Sequence, residues 1–456
     1  MNKKFTSLVA SSLFSSLFVL CTNGHAAVSA EEAKALGTTL TEMGAIKAGN
    51  KEGTIPAYTG GLTKAPADFK PGSGVWADPF PNEKPLYRIN AANLAQHADK
   101  LSESQKYLIK TYPTYYIDVY PTHRSTAYPE AVLKATVRNA TTCTAGKDYY
   151  SVNVACRGGV PFPIPKNGYE VMWNLTLRYS IATDIVYQNG MGWLVDAKGT
   201  PTMTSDQFTR TEKPYYQVDQ KDRDPNMILR TYSVARAPAR ISGQMTLLQD
   251  YIDMEEKPRR AFNYSPGQRR VKLAPEFAYD TPVSQLCGVT LFDELFLFSG
   301  KMDRFDFKLV GLKEMLIPYN SYKFYGECKG VDHFMGTHLN PSCERWELHR
   351  VWVVESTLKP GQRHAYAKRT YYLDEDGSGA GMFDAFDKNG ELYRGMFQST
   401  IQVYDHLTPW SGKTITYDFS KKMMLLIGDG SFQISPKILP EVDLSPEAIV
   451  GRETVR

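Results

Sequence analysis

The chain has 456 residues, and 53 Lys and Arg against 49 Asp and Glu give a formal charge of +4. That charge is too weak for a nucleic-acid partner, and no basic run or aromatic nucleic-acid motif is present. Beyond the N-terminus no apolar stretch reaches spanning length, and the size allows one large domain or two.

In chain order, Lys3 and Lys4, an apolar stretch from Leu8 to Leu20 diluted by serines, and Gly24-His25-Ala26 read as a secretory signal peptide. Cleavage is expected after Ala26. The apolar run is too short for a good transmembrane helix. Cys21 offers a lipoprotein signal as a rival, but that needs a small residue where Leu20 stands. Losing Lys3 and Lys4 and no acid takes the formal charge from +4 to +2. Export places the mature chain outside the cytoplasm. ATP and NAD are scarce there, which argues against a kinase, ligase or dehydrogenase.

Ser29-Ala30-Glu31-Glu32 reads as a capping box and Gly37 as the stop of a short helix. From Gly53 to Pro85, 11 of 33 residues are Gly or Pro. This predicts an extended arm, anchored on the body by Ile55, Tyr58, Phe69, Trp76 and Phe80. Asn90–Lys100 and Ser102–Lys110 look like short helices ahead of Pro113. Gly168–Ser180 has helical 3-4 spacing, with Leu175 off the stripe. From Asp184 onward short alternating segments follow, with hairpin turns expected at Asn189-Gly190, Lys198-Gly199 and Pro266-Gly267. Val289–Phe298 is expected to be a buried helix. Strands are expected at Phe305–Leu309, Lys313–Ile317, Tyr322–Tyr325, Arg350–Leu358, Ala365–Leu373, Glu391–Gln398 and Thr414–Phe419. The 28 tyrosines suit such pleated surfaces. No repeat at a fixed period is visible. The organisation expected is a signal at 1–26, an arm with short helices and a disulfide loop at 27–165, and a sheet domain at 166–456. The fold class is β-rich α+β: a large curved antiparallel sheet, a half-open barrel, with a few helices against its concave face.

Five mature cysteines remain. Cys143–Cys156 and Cys328–Cys343 close short loops and are expected as disulfides, each adding roughly 3 kcal/mol on the chain-entropy estimate. Cys287 is left over and is expected as a buried thiol.

The most distinctive stretch is Lys257-Pro258-Arg259-Arg260-Ala261-Phe262-Asn263-Tyr264-Ser265-Pro266-Gly267-Gln268-Arg269-Arg270-Val271, followed by Ala274-Pro275 and Tyr279-Asp280. It resembles the exported bacterial family called domain of unknown function 1329. So do Ala27–Glu32, Gly49–Gly61 and Val351–Gly361. The resemblance implies a fold similar to the lipoprotein carriers LolA and LolB, an unclosed β-barrel with a helical lid and an apolar cavity. It also implies a periplasmic protein that partners an RND-type, MmpL-like inner-membrane transporter and an outer-membrane protein. The family supplies no catalytic residues to carry over.

Cys328, His333, His338 and Cys343 are a conceivable zinc set, but lack the usual paired spacing; a disulfide with the histidines on an exposed loop is the plainer reading. Asp374-Glu375-Asp376-Gly377-Ser378-Gly379 opens like a calcium loop, yet Ala385 stands where a closing Glu should be. An acidic hairpin turn is expected instead. No metal and no cofactor are expected. No nucleophile elbow, zinc-protease motif or phosphate loop occurs, so no enzyme is expected. Arg259, Arg260, Arg269 and Arg270 read as a solvated edge hairpin or as a rim for an anionic head group. Strand alternation puts Arg260, Phe262 and Tyr264 on one face: Phe262 and Tyr264 are expected inward at a cavity mouth, the arginines outward, and Arg260 at the rim, its stem packed and its head in water. Trp173, Tyr251, Arg260, Phe262, Tyr264, Trp352 and Tyr371 are the candidate ligand-binding residues, although taken singly the aromatics suit an ordinary core. The function expected is a binding or shuttle protein for a lipid or other hydrophobic ligand. A structural adaptor without a ligand and an envelope-lipid hydrolase are the alternatives.

Overall fold

The computed structural model describes residues 28–180, 185–274, 277–377, 379–435, 445–447 and 451. The expected signal peptide lies outside them. Among the described residues no helix is long and apolar enough to cross a membrane.

Helix α1 (Ala30–Ala33) carries the anticipated reciprocal cap between Ser29 and Glu32. The Gly/Pro-rich arm lies on the body, with Ile55 and Trp76 buried, Tyr58 donating to the Thr126 carbonyl at 2.8 Å and Phe80 stacked on His123. A backbone without ladder partners must be satisfied by other groups. Upstream of and at the start of the arm, Arg350 donates to the carbonyls of Ile46 and Ala48, and Arg124 to those of Lys47 and Pro56.

Strand β1 (Tyr87–Ile89) precedes α2 (Leu94–His97), which tightens into a 3-10 turn at Ala98–Lys100. Helix α3 (Glu103–Thr111) is capped by Ser102 and Gln105, and strand β2 (Ile117–Tyr120) follows. Helix α4 (Glu130–Thr142) was not anticipated: its buried positions are Val132, Thr136, Asn139 and Ala140, a stripe too polar to show hydrophobic periodicity. Helix α5 (Gly168–Thr176) ends before the expected Ser180, and Val171 to Leu175 are all buried. Leu175 fits no stripe because the helix is covered nearly all round.

Among the described residues the body is a sheet of 15 strands. Strands β3 (Ile185–Val195), β4 (Pro201–Glu212), β5 (Met227–Ala237), β6 (Met245–Tyr251), β7 (Arg260–Ser265) and β8 (Arg270–Leu273) form a meander. Strand β9 (Phe305–Pro318) and helix α6 (Tyr322–Gly326) follow, then a small ribbon of β10 (Phe334–Met335) and β11 (His338–Leu339). A second meander runs through β12 (Trp346–Leu358), β13 (Lys368–Asp374), β14 (Gly381–Phe386), β15 (Leu392–Val403), β16 (Thr408–Asp418) and β17 (Met423–Ser435). Spatially β17 lies beside β3, which joins the meanders, while β9 and the β1–β2 pair attach at β12. Neighbours are antiparallel except β2 against β12. The sheet ends at β8 without returning, so the barrel stays open, as anticipated.

Strands β12 to β16 are buried on both faces. One face packs Val354, Tyr371 and Phe383 against Trp173 and Phe307. The other packs Trp346, Met382 and Phe397 in a second core with Leu108 of α3. Both anticipated disulfides, Cys143–Cys156 and Cys328–Cys343, are present.

Several expectations are corrected. Asn189-Gly190 is no turn but mid-strand in β3, where Gly190 pairs with Gly430; a Cβ on Gly430 would meet the Asn189 carbonyl at 2.0 Å, so glycine serves close approach. Val289–Phe298 is no helix beyond a 3-10 turn at Phe292–Glu294, because its acids are drawn to separate basic partners. The two strands expected within 305–317 are one, with a register shift opposite Val353 and Val354. Tyr322–Tyr325 is helical, not extended. Cys287 is exposed rather than buried; its left-handed backbone (φ 55°) caps a turn at the surface. His333 and His338 are buried, not on an exposed loop, since Asp429 and Thr114 hold their rings inside.

Candidate functional site

A cavity of about 260 Å³ lies between the β3–β7 and β16–β17 part of the sheet and the segment 277–298. Its floor follows from period-2 alternation. On β4 every second residue, Ser205, Gln207, Thr209 and Thr211, faces it. Across the sheet Gln188, Thr209, Ser233, Thr246 and Asn263 stand opposite one another in register. The Thr209 and Ser233 hydroxyls are 3.3 Å apart, and those of Thr211 and Thr231 3.4 Å apart. Gly428 narrows one end: its φ is +83°, and a Cβ there would sit 2.0 Å from the Gly412 carbonyl.

The roof is apolar. Phe277, Val283, Leu286, Phe292, Leu295 and Phe296 line it, with Phe277 and Phe292 stacked at 4.5 Å. Phe296 is 38% exposed, the mark of an aromatic facing unfilled space. Two buried acids hold this segment down. Asp293 pairs with His364 and Arg369, each at 2.9 Å; burial alone would raise its carboxyl, but Arg369 and His364 hold it down at about 2. Glu294 pairs with Arg394 at 3.3 Å and accepts from the Tyr366 hydroxyl.

The one charged side chain among the described lining residues is Arg178, just beyond α5. Burial lowers its pKa to about 10. Its Nη1 donates to the Leu175 carbonyl at 2.6 Å, and its Nε is buried without a hydrogen-bond partner. Lys213, at the end of β4, donates to the Arg178 carbonyl at 2.5 Å and to Ser180 Oγ at 3.1 Å. Burial, then the charge of Arg178, pushes its ammonium pKa well down.

None of the seven candidate residues read from sequence lines this cavity. Trp173 and Tyr371 are fully buried in the core under α5. Trp352 packs at the edge of that core, beside a small void it shares with Arg178. Phe262 and Tyr264 do share a face, but the opposite one, with Tyr232, Met245 and Leu247. Pro446 of the C-terminal segment sits by that cluster. Tyr251 lies on the same side as Met245 and Leu247 by alternation, and is buried. Arg260 is exposed beside Phe262, its guanidinium 5.1 Å from the ring centre. The inward residue of β7 is Asn263. Of the arginines expected outward, Arg259 points in and is held by Asp250 at 2.6 Å, whereas Arg260, Arg269 and Arg270 are exposed on the edge hairpin. The signal that could have found the floor is the Ser205-x-Gln207-x-Thr209-x-Thr211 alternation.

The acidic turn at 374–377 is buried. Asp376 is gripped by Arg124 at 2.6 and 2.8 Å, and Glu375 by Arg350 at 2.5 Å. One oxygen or nitrogen each of His349, Asp374 and Asp376 lie within 4.8 Å of one another. With both Asp376 oxygens on Arg124, this is an ion-pair network holding the arm. In the Cys328–Cys343 loop, His333 bonds Asp429 at 3.0 Å, and Lys413 reaches Asp429 at 3.2 Å.

Residues 88–438 match the family described as protein of unknown function, DUF1329. The chain belongs to that family. An uncharacterized protein of Pseudomonas aeruginosa, PA3922, is 38% identical over 423 residues, 90% of each chain. Among solved structures, a DUF1329 family protein from Desulfovibrio piger aligns with 62% of this chain and 97% of its own, at a TM-score of 0.42 and 13% identity. A LolA superfamily protein from Nitrosomonas europaea aligns with 62% of this chain and 99% of its own, at a TM-score of 0.37 and 8% identity.

Proposed function

We propose that this DUF1329 protein is a periplasmic carrier that shelters the hydrophobic part of an amphiphile between the sheet and the segment 277–298. The observation that carries the reading is the cavity itself: an apolar roof over a floor of neutral hydroxyls and amides, with Phe296 turned into the gap. Apolar surface entering such a space leaves water at roughly 25 cal/mol per Å², and the floor offers hydrogen bonds that fix orientation. No bond need be made or broken. The two disulfides favour an oxidising compartment. Release is assigned to a partner that binds the open form better, with an RND-type transporter and an outer-membrane protein as the partner types. The test is titration with the neutral probe N-phenyl-1-naphthylamine. Saturable one-to-one fluorescence, lost when Ser233→Trp fills the floor, supports the carrier. Absence of binding to a folded wild type overturns it and returns the reading to an adaptor.

A further inference from the structure

Two cations stand buried where the cavity meets a smaller void: Arg178 lines both spaces, Lys213 lines the smaller one, and the acid on that void's wall, Asp250, has both oxygens taken by Arg259. Arg178 and Lys213 are each 5% exposed. Among the described residues no carboxylate forms an ion pair with either, and none acts on the charge of either. Elsewhere the chain pairs its buried arginines: Arg124 with Asp376, Arg230 with Glu212, Arg369 with Asp293 and Arg394 with Glu294. Leaving a charge buried and unpaired is costly, so a fold that does it twice at one spot calls for a compensating anion. Donors are free to meet one. The ammonium of Lys213 has three N–H groups, two of them used. Arg178 keeps its Nε without a partner. Ser180 and Thr211 add hydroxyls on the same wall. The apolar roof begins next to them, since the Arg178 guanidinium lies 5.8 Å from the Phe296 ring centre.

We propose that Arg178 and Lys213 form the head-group pole of the cavity and select an amphiphile ending in a carboxylate or a phosphate monoester. A guanidinium edge matches either oxyanion, with the ammonium closing on it. This rests on the carrier reading above and adds the charge of the ligand to it. The pole differs from the expected arginine rim: Arg260, Arg269 and Arg270 lie on the edge hairpin, away from the cavity.

The experiment compares 11-dansylaminoundecanoate with its methyl ester, which differ only in the head charge, on wild type, Lys213→Met and Arg178→Gln. Wild type is expected to bind the carboxylate at least tenfold more tightly. Each variant is expected to lose most of that preference while still binding the ester. Dodecanoate and dodecyl phosphate, as competitors, separate the two sources of anion: the better displacer names the head group. Because it removes an unpaired buried charge, Lys213→Met is expected to melt no lower than wild type. A markedly lower melt would make Lys213 a structural donor and count against the pole. Equal wild-type affinity for acid and ester, or a preference kept by both variants, overturns the pole and leaves the carrier standing. Failure to bind either probe overturns the carrier reading and the pole with it.

Discussion

Glu344 is a buried carboxyl whose hydrogen bond comes from a hydroxyl, Ser399 Oγ at 3.2 Å, and burial raises its pKa from 4.5 to about 8. The unfolded chain therefore releases this proton first as pH rises. The stability Glu344 contributes is full below about 4.5, falls by up to about 1.4 kcal/mol per pH unit, and is gone above about 8. Glu344→Gln is expected to flatten that slope and to raise the melting temperature at pH 8, which thermal melts across pH 4–9 will read. Phe262 sets a second residue-scale test. It is half-buried on the side away from the cavity, so Phe262→Ala should cost about 2 kcal/mol in denaturant melts and leave probe binding unchanged. Alternation made the company of Phe262 legible but not its side. The aromatics went to the closed core, and the plain Ser/Thr/Gln alternation was left to face the space.

The segment 277–298 shows why an element can escape a sequence reading. Val289–Phe298 has a helix's apolar content, but Asp293 and Glu294 are pulled onto strands β13 and β15 by Arg369 and Arg394. Phe296 and Leu297 are left with positive φ values of 62° and 74°. Long-range ion pairs override local propensity, and no periodicity announces them. Since Phe296 is partly exposed toward the cavity, Phe296→Ala should change stability by less than about 1 kcal/mol yet weaken probe binding several-fold; a melt and a titration on one preparation separate the two effects. The disulfide loops were readable because Cys spacing and export need no tertiary knowledge. Replacing Cys143 and Cys156 together by serine is expected to cost about 3 kcal/mol in chemical denaturation.

At the scale of the molecule, the meanders were visible in part as alternating segments, and Lys198-Gly199 and Pro266-Gly267 do turn the chain, but β14 and β17 were not anticipated. The order of strands was not visible. Nothing local says that β17 joins β3 or that β9 joins β12, and burial on both faces erases the alternation that marks a half-exposed sheet. The arm was legible as Gly/Pro-rich, but its attachment through Arg124 and Arg350 was not, since those partners lie from 68 to 304 residues away in the sequence. Arg124→Leu leaves Asp376 without its partner in the interior. It should cost on the order of 3–5 kcal/mol and speed proteolysis within residues 53–85, measured by limited digestion against wild type.

The central claim, that the space under the segment 277–298 holds an amphiphile, is tested most directly by native mass spectrometry of the protein purified from the periplasm without detergent. The account predicts a population heavier than the chain by one amphiphile, recovered on extraction and absent from Ser233→Trp. A bare mass for wild type, with nothing extracted and no uptake from added lipid, would contradict it.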